Sequence, residues 1–315
     1  MMKTTNTVAT IFAVFAVAAC GGGAPDPADR GRVKVVATTN IVGDLVRTIG
    51  GEQVDVEALM GPGIDPHLYK ASAGDVRRMS SAEAIFYSGL HLEGKMSEVL
   101  ERMGEREART VAVAECVPGE ELIASAGFSG SHDPHVWFDV KLWSKTVGCV
   151  AETLADLDPD HAAGYRERAG NYVEELMGLD AWVRERVELL APEERVLVTA
   201  HDAFGYFGRA YGFEVRGLLG VSTAAEAGTS DVQELAELIA ERKIPAIFVE
   251  TSVPPRYVQA LQEAVKARGF AVEIGGSLYS DSLGDAGTPA GTYSGTVREN
   301  VETIVTALVA GEKVE

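Results

Sequence analysis

A long apolar stripe near the middle of the chain constrains the fold more than any other feature. Asp158 and Pro159 are residue types favoured at a helix start, and Pro192 marks the end of the pattern. Apolar residues recur every three or four positions over about 32 residues, which predicts a helix about 48 Å long. The stripe consists of Tyr165, Ala169, Tyr172, Leu176, Leu179, Val183, Val187 and Leu190. We interpret this helix as a rigid strut between two lobes rather than as a coiled-coil arm.

Strand and helix patterns alternate on both sides of the stripe. Strands are predicted at residues 33–39, 54–59, 84–87 and 110–113 before it, and at 195–199, 213–217, 246–250 and 271–274 after it. Helices are predicted from Asn40, which we expect to cap its own helix, from Asp231, from Pro255, and over residues 293–310. This alternation predicts an α/β fold of two lobes, each a mostly parallel sheet flanked by helices.

The first residues have the pattern of a targeting segment. Residues 9–19 are apolar and uncharged, a run too short to span a bilayer comfortably but typical of a signal peptide. Small residues then precede Cys20, and three glycines follow it. This arrangement resembles a bacterial lipoprotein processing site, which implies that Cys20 carries the lipid; secretion without a lipid is the alternative.

These patterns give five expected segments. They are a signal peptide at 1–19, a lipidated flexible tether at 20–31, an N-terminal α/β lobe at 32–157, the connecting helix at 158–191 and a C-terminal α/β lobe at 192–315. With 315 residues, the chain is long enough for two hydrophobic cores.

Charge and cysteine content exclude some classes of protein. A net charge of −19 argues against a nucleic-acid partner, because phosphate binding requires a basic surface. Three cysteines without a Cys-x-x-Cys spacing exclude a disulfide scaffold and a cysteine zinc ribbon. Cys116 and Cys149 would face an oxidising compartment, where they either pair or remain as buried thiols; the sequence leaves both possibilities open.

Four side chains are predicted to lie at the ends of strands, two in each half of the chain. His67 and His135 each follow an Asp-Pro pair, and proline makes the turn that presents the imidazole rigid. His201 follows a strand, and Asp281 lies between two serines in the loop after the last strand. Ligands of open α/β sheets bind beyond the carboxyl ends of the strands. Glu250 ends a strand at the same edge, where it would either orient a ligand histidine or pair with a basic residue.

Six stretches, in order along the chain, resemble the zinc/manganese solute-binding lipoproteins of ABC transporters, solute-binding family nine. They are Asp-Pro-His-Leu-Tyr at 65–69, Gly-Leu-His-Leu-Glu at 89–93, Asp-Pro-His-Val-Trp at 133–137, Ala-His-Asp-Ala-Phe at 200–204, Phe-Val-Glu at 248–250 and Tyr-Ser-Asp-Ser-Leu at 279–283. The resemblance implies that His67, His135, His201 and Asp281 are metal ligands. Some family members have glutamate where this chain has His201. The family usually has Leu-Asp-Pro where residues 138–140 read Phe-Asp-Val, a departure that we expect to affect packing rather than ligation.

The implied function is high-affinity extracytoplasmic capture of one divalent ion, zinc and/or manganese, in the cleft between the lobes. The ion would be delivered to a membrane-embedded ABC permease by a monomeric lipoprotein that is not an enzyme, on the periplasmic or cell-surface side of the membrane. A secreted zinc hydrolase is one alternative, although four protein ligands would close the site and no His-Glu-x-x-His or Gly-x-Ser-x-Gly motif occurs. A surface adhesin on the same fold is the other.

Overall fold

The first half of the chain is built on a four-stranded parallel sheet. The structure is a computed structural model that describes residues 31–105, 109–125, 132–225 and 227–310. The strands are β1 (Val33–Thr39), β2 (Val54–Met60), β3 (Ala84–Tyr87) and β4 (Arg109–Ala112), in the order β2-β1-β3-β4 with every neighbouring pair parallel. The helices are α1 (Asn40–Gly50), α2 (Ala73–Ser81), α3 (Ser97–Gly104), α4 (Val140–Trp143) and α5 (Thr146–Leu157). The expected sheet of this half is therefore confirmed.

The second half contains two pairs of parallel strands. The strands are β5 (Val196–His201), β6 (Glu214–Leu219), β7 (Ala246–Glu250) and β8 (Glu273–Leu278). Strand β5 pairs with β6, β7 pairs with β8, and β5 lies beside β7. The helices are α7 (Gly205–Tyr211), α8 (Thr229–Arg242), α9 (Arg256–Lys266) and α10 (Tyr293–Ala310). The parallel arrangement flanked by helices is thus present in this half as well.

The last strand differs from its prediction. The sequence placed it at 271–274, whereas β8 begins at Glu273 and continues to Leu278. The continuation is hard to predict from the sequence because it contains Gly275 and Gly276, and glycine is depleted in strands. The backbone requires glycine here: a Cβ at residue 275 would lie 2.7 Å from the Cβ of Ala307 on α10. Close packing of β8 against α10 therefore outweighs local strand propensity.

The start of α1 also differs from its prediction. Thr39, not Asn40, caps the helix, because the Thr39 hydroxyl accepts a hydrogen bond from the Val42 N–H at 3.2 Å. The Asn40 amide instead donates to the Leu283 carbonyl at 3.1 Å, and its oxygen accepts from the Leu283 N–H at 3.0 Å. Asn40 thereby connects the first half of the chain to the loop that follows β8.

The central helix is present and somewhat shorter than predicted. A 3-10 turn at Pro159–His161 leads into α6 (Ala162–Val187), which has 26 residues. All eight residues of the predicted stripe are buried. They belong to a hydrophobic core that also contains residues of α1, α5 and α10, such as Val42, Val150 and Val301. The core of the described residues therefore continues from one half of the chain to the other through α6.

Cys116 and Cys149 form a disulfide, which answers the question that the sequence left open. Their Cα atoms are 6.3 Å apart, and the bond joins the 3-10 helix Val113–Cys116 to α5. The described residues from Arg32 onward form one compact unit. None of the described helices is both long enough and apolar enough to cross a membrane. The expected signal peptide and Cys20 lie outside the described residues.

Candidate metal centre

The structure brings the four predicted residues together. His67 lies between β2 and α2, His135 directly precedes the 3-10 helix Val136–Phe138, His201 is the last residue of β5, and Asp281 follows β8. Each of the four residues offers one ligand atom, and these four atoms all lie within 4.8 Å of one another. All four side chains are buried. Because parallel strands end at one edge of a sheet, residues far apart in sequence meet there.

The spacing of these donor atoms fits a tetrahedral ion. The Nε2 atom of His135 lies 3.3 Å from that of His67 and 3.4 Å from that of His201. The Asp281 Oδ1 atom is 3.4 Å from His135 Nε2, and its Oδ2 atom is 3.4 Å from His201 Nε2. Zinc bound tetrahedrally at about 2.0–2.1 Å separates its ligands by about 3.3–3.4 Å. These four distances agree with that value, and the remaining pairs of donor atoms lie within 4.8 Å of each other.

The two Asp-Pro-His turns share one hydrogen-bond pattern. The Asp65 carboxylate accepts the His67 backbone N–H at 2.9 Å, and the Asp133 carboxylate accepts the His135 N–H at 2.9 Å. An aspartate that accepts from the backbone two residues on closes a compact turn. Each histidine is therefore held both by the fixed φ of proline and by the aspartate before it.

Carboxylates orient two of the imidazoles from the side opposite the donor cluster. Asp133 Oδ1 lies 2.7 Å from His135 Nδ1. Glu250 contacts His201 twice: Oε2 bonds to Nδ1, and Oε1 accepts the backbone N–H at 2.8 Å. In the neutral form of each ring, these contacts favour a proton on Nδ1 and so direct the lone pair of Nε2 toward the cluster. Of the two roles expected for Glu250, the structure shows the contact with a histidine.

Sequence reasoning did not assign Asp133 this orienting contact. The Asp-Pro-His triplet is itself the signal, because it places a carboxylate two residues before the imidazole. His91 and His132 line a cavity beside His67, but neither belongs to the group of converging donors.

Burial and charge act differently on the pKa values of the donors. Burial lowers the pKa of His67 to about 3. Burial also opposes the charged form of His135, but Asp133 and Asp281 outweigh it and raise the pKa of His135 to about 9. Glu250 and Asp281 likewise raise the pKa of His201 well above its usual value, against the effect of burial. The pKa of Asp281 lies well below its usual value, because the imidazoles outweigh the cost of burying the carboxylate.

One carboxylate oxygen of the cluster lacks a hydrogen-bond donor. Asp281 Oδ1 is buried and has no hydrogen-bond partner. A buried oxygen of this kind costs free energy unless a donor or a cation compensates it. Three imidazole nitrogens and this carboxylate form a donor set that suits a divalent transition metal. The residues present therefore fit such an ion as cargo.

An α/β chain of two lobes, with a buried three-histidine, one-aspartate cluster assembled from both halves, is a metal-binding protein by the chemistry of its site. The chain belongs to the family described as ZnuA, zinc-uptake complex component A periplasmic, which matches residues 35–307. This family membership confirms the resemblance to solute-binding family nine.

Two relatives are similar over nearly their whole length. The zinc-binding protein TroA of Treponema pallidum (strain Nichols) is 52% identical over 287 residues, which is 91% of this chain and 92% of the relative. The manganese-binding lipoprotein MntA of Bacillus subtilis (strain 168) is 47% identical over 300 residues, 95% of this chain and 97% of the relative. A solved structure of the periplasmic zinc-binding protein TroA from Treponema pallidum superposes with a TM-score of 0.86 at 52% identity, covering 88% of this chain and 99% of that one.

The family describes a component of metal uptake and not an enzyme, as we expected for this chain. Neither a secreted zinc hydrolase nor a surface adhesin is supported by these matches. The agreement with the TroA structure also confirms the predicted fold class of two α/β lobes.

We predict that Glu250→Gln weakens metal binding. Glutamine keeps the size of the side chain but removes the negative charge and one of the two acceptors that hold His201. Loss of such an orienting partner lowers metal affinity by about 10- to 100-fold. Competition against a chelating dye would measure the change, with Glu273→Gln, an exposed position on β8, as the matched control. Equal affinities in the two variants would contradict the prediction.

We also predict that metal binding releases protons. The metal-free pKa values leave His135 and His201 protonated at pH 7, whereas a metal binds only neutral imidazole nitrogen. Binding should therefore release about two protons at pH 7, and affinity should rise as the pH rises from 6 toward 9. Calorimetric titrations in two buffers of different ionisation enthalpy would count the protons. Binding heats that do not depend on the buffer would contradict this prediction.

Proposed function

We propose that the chain captures one divalent transition metal, zinc or manganese, in the cleft between its two lobes and delivers it to an ABC permease. His67, His135, His201 and Asp281 are the proposed ligands. The single observation that carries the proposal is the convergence of their four buried donor atoms. The names of the relatives support it, since one is described as zinc-binding and another as manganese-binding.

The ligand set gives zinc the intrinsic advantage. Imidazole nitrogen binds zinc well, and zinc lies above manganese in the general order of affinities of divalent metals. Manganese favours oxygen ligands and would be accepted through both oxygens of Asp281. In a cell the metal that is bound also depends on supply, so both metals are retained as cargo.

Membership of a periplasmic uptake family places the function outside the cytoplasm and implies a permease partner. Relatives are described as lipoproteins, which supports the finer proposal that Cys20 carries a lipid and anchors the mature chain to the membrane.

We propose the expected segments as well: a leader at 1–19, a tether at 20–31, lobes at 32–157 and 192–315, and the connecting helix at 158–191. A monomer suffices, because one chain supplies all four donors.

Removal of either of two histidines should abolish stoichiometric binding. Elemental analysis of the stripped and reloaded chain should give one ion for the native sequence, and clearly less for His67→Ala and for His201→Ala. The reason is that three remaining donors leave an open, weaker site. His161→Ala removes a histidine outside the donor cluster and is the control. An undiminished one-to-one ratio in both site variants would refute the ligand assignment.

A competition titration of zinc against manganese should favour zinc.

The lipid anchor has its own test. Cys20→Ala removes the thiol to which a lipid would attach, so cell fractionation should move the protein from the membrane fraction to a freely extractable one. Cys116→Ala together with Cys149→Ala removes the other two cysteines and should leave the membrane association unchanged. A Cys20→Ala protein that stays in the membrane fraction would exclude this anchor.

A further inference from the structure

The loop between β6 and α8 is called loop 220–228 here, and its described residues, 220–225 and 227–228, include three that lie beside His67. A cavity of about 260 Å³ has His67 in its wall, together with Val221, Ser222 and Ala224 of this loop. The same cavity is also lined by Leu90, Gly94 and Pro134, which belong to the first half of the chain. The loop therefore borders a space that adjoins the donor cluster.

This cavity adjoins the donor that is least covered. His67 is 4% exposed, whereas His135 and His201 are 0% exposed and Asp281 is 1% exposed. The side of the cluster at His67, which Val221, Ser222 and Ala224 border, is therefore the side that lies nearest to solvent.

One hydrogen bond fixes this loop to the first half of the chain. The Thr223 hydroxyl donates to Asp65 Oδ2 at 2.6 Å, and the other oxygen of Asp65 accepts the His67 backbone N–H at 2.9 Å. The Asp65 carboxylate thus joins the loop directly to the turn that presents His67. Within the described part of loop 220–228, this is the hydrogen bond that reaches the first half.

The opposite border of the cluster is held more firmly. The loop that carries Asp281 is joined to the first half by the Gly63 N–H donating to Ser282 Oγ at 2.9 Å and by the two bonds between Asn40 and Leu283. Trp137 Nε1 also donates to the Ser280 carbonyl at 3.0 Å. Movement of that loop would break several bonds to the first half, whereas movement of the described part of loop 220–228 would break one.

We propose that Thr223 is a positioning residue that holds the metal centre closed and sets how long the ion stays bound. The proposal rests on the proposed function and adds a release step to it. With the bond to Asp65 intact, loop 220–228 covers the path past His67. When the bond breaks, the loop separates from the His67 turn and the ion escapes. Thr223 itself does not bind the ion.

The test is the rate of metal release. The purified chain is loaded with one Zn²⁺ and mixed rapidly with an excess of a chelating dye. Thr223→Val keeps the shape of the side chain and removes the hydroxyl, so release should accelerate by about 10- to 100-fold, the effect of losing a hydrogen bond to a charged acceptor. Thr223→Ala should accelerate release in the same way and serves as the second variant if valine impairs folding.

Two matched variants separate the hydrogen bond from a general disturbance of the loop. Thr223→Ser retains a hydroxyl and should release zinc at close to the native rate. Thr229→Val makes the same substitution at an exposed position at the start of α8, outside the cavity wall, and should do the same. Native release rates in both Thr223→Val and Thr223→Ala would overturn the proposal. A native chain that fails to bind one Zn²⁺ would instead overturn the proposed function, so the two failures are distinguishable.

Discussion

Mutual repulsion among buried donor atoms is the constraint on which the rest of the structure depends. The Nε2 atoms of three imidazoles and the oxygens of Asp281 meet within a few ångströms, shielded from water. In a low-dielectric interior, such a cluster is costly unless positive charge offsets it. The raised pKa values of His135 and His201 favour protons on these two rings in the metal-free protein, and a divalent cation would supply the positive charge in the loaded one. On the proposed ligand assignment, metal capture would exchange protons for an ion, while the contacts with Asp133 and Glu250 hold the rings in place.

The scaffold limits how the protein can respond to this exchange. The buried stripe of α6 belongs to a core that continues into both halves, so a wide hinge motion would expose apolar surface along the helix. Small movements of loops cost less, because they break a few hydrogen bonds and expose little core. The loops around the cluster differ in their hydrogen bonds to the first half: the one that carries Asp281 is bonded through Ser282 and Leu283, and the described part of the one that carries Thr223 is bonded through the Thr223 hydroxyl. Local opening near His67 would therefore break fewer of these bonds than movement of the loop that carries Asp281.

Much of this arrangement could be predicted from the sequence, since its signals are local. Alternating strand and helix patterns give the parallel strands, and the position of each histidine after a strand or an Asp-Pro pair indicates the common edge. What sequence reasoning missed depends on contacts between distant segments. Asn40 has the residue type of a cap, but Leu283, which is 243 positions away, engages its amide. In the sequence, Gly275 and Gly276 indicate the end of a strand, but the strand continues, and the close packing of α10 requires glycine at 275. Thr223 carries no local signal, because its significance arises only from its contact with Asp65.

The geometry of Asp281 would let the proposed donor set accept either of two metals. Its two oxygens face different imidazoles, Oδ1 toward His135 and Oδ2 toward His201, each at 3.4 Å from the Nε2 atom. One oxygen and three nitrogens complete the tetrahedral set that zinc prefers. Both oxygens together add a fifth contact and raise the oxygen content of the site, which favours manganese. Because Ser252 contacts Oδ2 while Oδ1 has no hydrogen-bond partner, the carboxylate is held on one side and open on the other. On the proposed ligand assignment, a small rotation of this one side chain would change the coordination number without moving the three imidazoles.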